Sequence, residues 1–217
     1  MAWKNELIKS VKPKLNSLDV AHNFDHSLRV FENCKIIGQE FKNVNYDALY
    51  AASILHDIGQ TVKHDNEHGH NSVKLARIIL NKIKFPSDID LVLEVIKKHD
   101  DYRWVKNHSG TKPNIPEAKI FQDADRLESM GAMGIIRQFL WAGKHGKRIY
   151  DEKARPRPDL IYGGNISAIH TIRDHEINIY KNLNTKAAKR LAKQKQEFKK
   201  IFLKQFFKEW NFKYLSR

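Results

Sequence analysis

At 217 residues the chain is long enough to bury a sizeable core and fits one compact domain. A hydrophobic share of 41% excludes wholesale disorder, and one cysteine, Cys34, excludes an internal disulfide or a cysteine-rich zinc site. Lysine and arginine outnumber aspartate and glutamate by 39 to 25; the resulting +14 attracts anions such as nucleotides, nucleic acid or phospholipid surfaces.

The first residues, Met-Ala-Trp-Lys-Asn-Glu-Leu-Ile-Lys, scatter charge where a signal peptide would be apolar. No run approaches the ~18 apolar residues of a membrane span, so the expectation is a cytoplasmic protein with no membrane partner. Apolar residues recur at three- and four-residue spacing, which predicts an all-α protein. The first helix is expected from Trp3 to about Lys14, with Leu7, Ile8, Val11 and Leu15 on one side and Pro13 near its end. The second runs from Asp25 to Phe41 behind the cap Asn23, with Leu28, Phe31, Cys34, Ile37 and Phe41 as its buried stripe. Asn45 caps a third through Leu55, which Gly59 closes, and Gln60 to Gly69 reads as a loop.

A fourth helix is expected from about His70 to Lys82, burying Val73, Ala76 and Ile79 or Leu80. Pro86-Ser87 starts a fifth towards His99, and a loop with Gly110, Pro113 and Pro116 follows. A sixth begins near Glu117 and carries Ala118, Phe121, Ala124 and Asp125; Gly131 and Gly134 allow close packing or a break. Residues 143–165 hold glycines and prolines typical of a long loop or flap, and Gly163-Gly164 reads as a turn. Helices near Ile166–Asn182 and Lys186–Trp210 close the chain. Leu191, Phe198, Phe202, Phe206 and Trp210 suggest a packing face on the last. From Lys181 onward the only acids are Glu197 and Glu209. No repeat or linker interrupts the chain, so one helical domain over 1–217 is expected.

Chemistry concentrates in three places. His56-Asp57 ends the apolar run Ala51-Ala52-Ser53-Ile54-Leu55; imidazole and carboxylate together suit borderline or hard divalent metals. Upstream, His26 and Arg29 stand three apart on one helical face; a metal ligand beside a guanidinium is what binding a metal-bound phosphate would need. Downstream, Gln122-Asp123-Ala124-Asp125-Arg126-Leu127 places carboxylates in an apolar helix, where a cation is a natural partner. Residues two apart on a helix point about 200° apart, so Asp123 and Asp125 cannot both serve one ion.

The ordered pattern His26, His56-Asp57 and a distant Asp125 resembles the HD-domain metal-dependent phosphohydrolases. The likeness is strongest to a small bacterial branch that includes nucleoside triphosphate pyrophosphohydrolases. It extends through Glu117 to Leu127, Gly131-Ala132-Met133-Gly134-Ile135 and Thr185 to Trp210. The resemblance implies a single compact HD-type helical bundle, with a core over about 20–130 and a helical extension over about 165–217. It implies metal binding by His26, His56, Asp57 and Asp125, and it favours Asp125 over Asp123. One divalent ion is expected, manganese first, with magnesium, cobalt, nickel or iron as alternatives.

His68 and His99 resemble positions that hold a phosphate or a second metal in related proteins. Glu67, His68 and Lys63 are the candidates for proton transfer and charge neutralisation; Arg29, His99, Arg126 and Glu128 are the candidates for substrate contacts. Glu128 departs from that branch, which usually carries aspartate there. His64, His70 and His108 read as surface histidines, and His175 as a core histidine or one bonded across the helical core. The expected substrate is a nucleotide or related phosphate ester, first of all a nucleoside triphosphate cleaved between its α and β phosphates. A homodimer is compatible with this reading. Two alternatives are a non-catalytic nucleic-acid-binding protein using the basic C-terminal helices, and a di-iron oxygenase that needs both His68 and His99 as ligands.

Overall fold

The computed structural model describes residues 2–19, 21–62, 68–99, 112–154 and 167–211, with the side chains of 68 and 174–177 also outside the description. Among the described residues there are nine α-helices and no strand; one isolated bridge pairs Arg148 with Ser167. These residues divide after Asp125 into two compact units.

The first unit holds α1 (Ala2–Leu15), α2 (Phe24–Gly38), α3 (Tyr46–Leu55), a 3-10 turn (Ile58–Thr61), α4 (His68–Lys82) and α5 (Ile89–His99). It also holds most of α6 (Pro116–Glu128). Local chemistry starts these helices. Asn23 and Asn45 accept the backbone N–H of His26 (3.1 Å) and Ala48 (2.9 Å), each satisfying an orphan donor of a first turn. Asp88 does the same for Leu91 at 2.9 Å, which moves the start of α5 past the expected Pro86-Ser87. Pro116 opens α6 at the position where its missing N–H costs nothing.

The buried face of α2 differs from the expected stripe. Leu28 is exposed, while His26, Ser27, Val30, Cys34 and Ile37 are buried. The face is rotated because it turns two polar side chains, His26 and Ser27, inward. The third helix also ends sooner than expected: helical geometry stops at Leu55, His56 caps it, and Gly59 lies inside the 3-10 turn. α4 buries Ser72, Ala76 and Leu80 rather than Val73.

The second unit holds the end of α6, then α7 (Gly131–Lys144), α8 (Ala168–Lys181) and α9 (Lys186–Trp210). Helix α7 had no expected counterpart. Gly131 adopts φ +66°, which breaks the chain between α6 and α7 and lets a new helix begin. A Cβ on Gly134 would stand 2.3 Å from the Ser129 carbonyl oxygen, so glycine there is a requirement of close packing. Ile135, Ile169 and Ile172 form this unit's core, with Phe139, Tyr150, Phe202, Leu203, Phe206 and Phe207 against it. Phe198 departs from the expected packing face: it is 47% exposed, and Ala188, Ala192 and Lys199 occupy the buried seam. Residues 155–166, with Gly163-Gly164, lie outside the described residues, as do His64 and His108 and the side chain of His175. His70 is exposed.

Candidate metal centre

His26 stands in the first turn of α2, where the Asn23 cap sets the direction of the backbone that carries it. It is buried, with 1% exposure. His56 caps the end of α3, and its Nδ1–H donates to the Ser53 carbonyl at 2.9 Å. A carbonyl can only accept, so this bond fixes the tautomer and leaves Nε2 to face inward. Asp57 then leaves helical geometry at φ −99°, ψ 1°. Adjacent residues on a continuing helix would diverge by about 100°. Here the turn brings the Asp57 carboxylate back to 3.2 Å from His56 Nε2.

Asp57 is itself held. Gln60 Nε2 donates to its Oδ1 at 2.7 Å, which leaves Oδ2 for the imidazoles. The Gly59 N–H donates to Ser72 Oγ at 2.8 Å and pins the 3-10 turn to α4. From α6, Asp125 Oδ1 approaches His26 Nε2 to 3.3 Å and His56 Nε2 to 3.9 Å. Asn33 on α2 donates to the Ala124 carbonyl at 3.2 Å, tying α6 to α2 beside that carboxylate. Asp123, two positions away, is fully buried.

The side chains of His26, His56, Asp57 and Asp125 thus stand close together. The tightest set is His26, His56 and Asp57, whose ligand atoms all lie within 4.8 Å of one another. The two Nε2 atoms are 3.3 Å apart and His26 Nε2 is 3.8 Å from Asp57 Oδ2. Donors each about 2.1 Å from one ion stand roughly 3 to 4 Å apart, so these spacings fit a divalent cation. The electrostatics agree. Two imidazole nitrogens facing each other need a positive charge between them, a proton or a metal. For His56, burial opposes the charged ring, but Asp57 and Asp125 outweigh it and raise its pKa to about 9. Burial alone would raise the pKa values of Asp57 and Asp125; His56 and His26 beside them hold both well below the usual carboxylate range. The Cys34 thiol is pushed far up by burial and is inert at neutral pH.

His99 lies next to this set, its ring 5.3 Å from that of His56, and its Nδ1–H donates to the Ile96 carbonyl at 2.5 Å. Phe121 closes the apolar side, 5.4 Å from the His56 ring. Arg29 is half-buried on α2. Arg126 and Glu128 belong to the second unit and are buried; Arg126 Nη1 donates to the Asn182 carbonyl at 2.8 Å. Lys63, Glu67 and the side chain of His68 lie outside the described residues. The residue that sequence reasoning missed is Gln60, taken as the first of a polar loop. Its three-residue spacing from Asp57, the reach of one 3-10 turn, was the available signal.

Residues 23–130 match the family model of the HD domain, a span that contains all four convergent residues. The chain belongs to the HD-domain family. An HD-superfamily hydrolase from Bacillus thuringiensis is 26% identical, with a TM-score of 0.70 over 97% of each chain. A Lactobacillus plantarum protein shares the fold at a TM-score of 0.72 and 23% identity, again over 97% of each chain. Bacillus subtilis YpgQ is 25% identical over 87% of this chain and 84% of its own. Its structure in complex with ADP aligns at a TM-score of 0.67 and 24% identity, over 94% of this HD-domain protein and 96% of YpgQ. Among the described residues, no helix of the HD-domain protein is long and apolar enough to cross a membrane.

Proposed function

We propose that this HD-domain protein is a metal-dependent phosphohydrolase that acts on nucleotides, and first of all on nucleoside triphosphates between the α and β phosphates. The observation that carries the reading is the convergence of two imidazoles and two carboxylates, drawn from α2, the end of α3 and α6, with each carboxylate 3.2 to 3.9 Å from both imidazole Nε2 atoms and those nitrogens 3.3 Å apart. His26, His56, Asp57 and Asp125 would hold one divalent ion, manganese first. When bound, such an ion supplies an acidified water and Lewis-acid polarisation of a phosphoryl oxygen.

The protein's own side chains do the rest. The Ser53 carbonyl and Gln60 orient His56 and Asp57, the outer-shell role that raises ligand basicity and sets direction. Arg29 binds the phosphate oxygens, a planar guanidinium suited to paired contacts. His99, held by the Ile96 carbonyl, offers Nε2 to the substrate. Lys63, Glu67 and His68 precede or open α4 and are assigned to charge neutralisation and proton transfer. The nucleotide assignment is supported by the ADP complex of YpgQ and by the +14 charge, which draws polyphosphates.

Elemental analysis of the purified protein, with a nucleotide screen over manganese, magnesium, cobalt and nickel, tests this directly. Metal-dependent release of pyrophosphate from a nucleoside triphosphate is expected. Release of orthophosphate instead would move the cleavage site while keeping the metal centre. Activity that persists without metal would defeat the assignment. The proximity of His99 to His56 favours one other outcome: two tightly bound irons with no phosphate release would mean oxygenase chemistry.

A further inference from the structure

The mechanism leaves the outer face of α9 unused, and its chemistry is sharply sorted. At about 100° per residue, Lys186, Lys189, Lys193, Lys200, Lys204 and Lys208 fall within an arc of about 100°. All six are exposed. The seam opposite them is buried or half-buried: Ala188, Ala192, Lys199, Phe202 and Phe206. The helix has 25 residues, so the lysine stripe runs along a rod about 37 Å long. Lysines four residues apart stand about 6 Å apart along the axis, a spacing comparable to that of consecutive phosphates on an extended strand. One acid, Glu197, lies in the stripe, and it pairs with Lys200 at 2.7 Å.

Two exposed apolar side chains lie on one side of the lysine arc: Ile201 about 20° beyond its edge, and Phe198 about 80° beyond it, between the lysines and the buried seam. Phe198 is 47% exposed and Ile201 66% exposed. The apolar seam itself is already engaged within the unit. Phe202 packs on Phe139 with ring centroids 6.2 Å apart, and Phe206 on Tyr150 at 6.0 Å. A helix that inserts into a lipid surface keeps its apolar face for the membrane; α9 has spent that face on its neighbours. What remains outward is a charged track bordered on one side by Ile201, with the half-exposed ring of Phe198 further round on that same side. That combination, phosphate contacts with apolar surface beside them for unpaired bases, is how single strands are held.

We infer that the outer face of α9 is a docking surface for single-stranded nucleic acid, with the six lysines on the phosphates and Phe198 and Ile201 against the bases. The surface works alongside the metal centre and does not depend on the reading of that centre. It gives the basic C-terminal segment a role that hydrolysis of a free nucleotide does not require.

Fluorescence anisotropy of the full chain with a labelled single strand of about 20 nucleotides tests it, against a hairpin duplex and phosphatidylserine vesicles. Each phosphate contact on a single strand contributes about −0.7 to the slope of log affinity against log salt, so six lysines predict a slope near −4. The triple variant Lys193→Glu, Lys200→Glu, Lys204→Glu should bind at least tenfold more weakly. Its salt slope should be shallower by about two, with nucleotide hydrolysis unchanged. Phe198→Ala should weaken binding with no change in slope. Single Lys→Gln changes at 193, 200 and 204 keep the test valid if circular dichroism shows the triple variant misfolded; each should flatten the slope by about 0.7. Equal binding by wild type and the lysine variants would overturn the inference. So would equal affinity for the duplex, or a preference for vesicles over the strand.

Discussion

The two units bury polar side chains in different ways. In the first, His26, His56 and Asp57 are nearly inaccessible, and they face one another. In the second, buried polar groups disperse to separate partners: Arg126 to the Asn182 carbonyl, Lys199 to the Arg173 carbonyl at 3.3 Å, and Ser167 to His170 at 2.6 Å. A buried polar group is costly unless it is satisfied. A bond to a backbone carbonyl or a hydroxyl accounts for the donor that makes it with no ion involved. Satisfaction by like nitrogens and by carboxylates that must share one positive charge does not, and the proposed ion would account for the difference in the first unit.

The comparison can be broken most sharply at Asp57. Asp57→Ala should lower hydrolysis by at least about 10³-fold, an effect expected of removing a ligand to the activating ion. It should also abolish the rise in melting temperature that metal gives the wild type. Initial rates and differential scanning fluorimetry read both, and a variant with full activity would erase the distinction between the units. The counterpart in the second unit is Arg126→Met, which strands the Asn182 carbonyl. A loss of about 2 to 3 kcal/mol in urea unfolding is expected, with metal stoichiometry unchanged. If Arg126→Met lost its metal as Asp57→Ala does, the dispersed and convergent patterns would not separate structure from site.

Gln60→Ala should fall between these. Freed from its bond to Gln60, Asp57 keeps its charge but loses its aim; metal affinity should weaken about 10- to 100-fold by competition titration, with little change in the stability of the ion-free protein. The smallest effect is a pH dependence with opposite signs in the two states. In the ion-free protein the His56 pKa is raised from 6.5 to about 9. Its stabilising contribution is complete below 6.5 and is lost as pH rises through 9. The lowered pKa of Asp57 contributes above 3.8 and is lost as pH falls further. Melting temperature without metal should therefore decline by a few degrees between pH 6.5 and 9, while the increment added by metal grows, because binding must displace the His56 proton. Parallel rather than opposed trends would remove the ion from the account.

Much of this could be read along the chain because it is local. Asn23, Asn45, Thr185 and Pro116 mark helix starts through hydrogen bonds or steric rules that span four residues. The all-α class follows from periodicity, and the family from a resemblance carried by the ordered His26, His56-Asp57 and Asp125. The errors are where a face was chosen from hydrophobicity alone. Leu28, apolar and at core spacing, stands exposed, because α2 turns His26 and Ser27 towards the core. Phe198 was placed on the packing side of α9, but small alanines and Lys199 take that seam. α7 was missed because its two glycines read as a break, whereas Gly131 breaks the chain and Gly134 permits a close approach within the next helix.

By itself the sequence determined that this protein is helical, basic and HD-like, and which four side chains to compare, since helix starts and motif order depend on near neighbours and residue type. Only the tertiary structure decided that those side chains meet, that Gln60 and the Ser53 carbonyl aim them, and that Phe198 stands half-exposed while alanines and Lys199 fill the seam of α9. Such facts depend on contacts between residues tens of positions apart, and these exist only after the helices have packed and each buried polar group has found the partner that offsets its lost water.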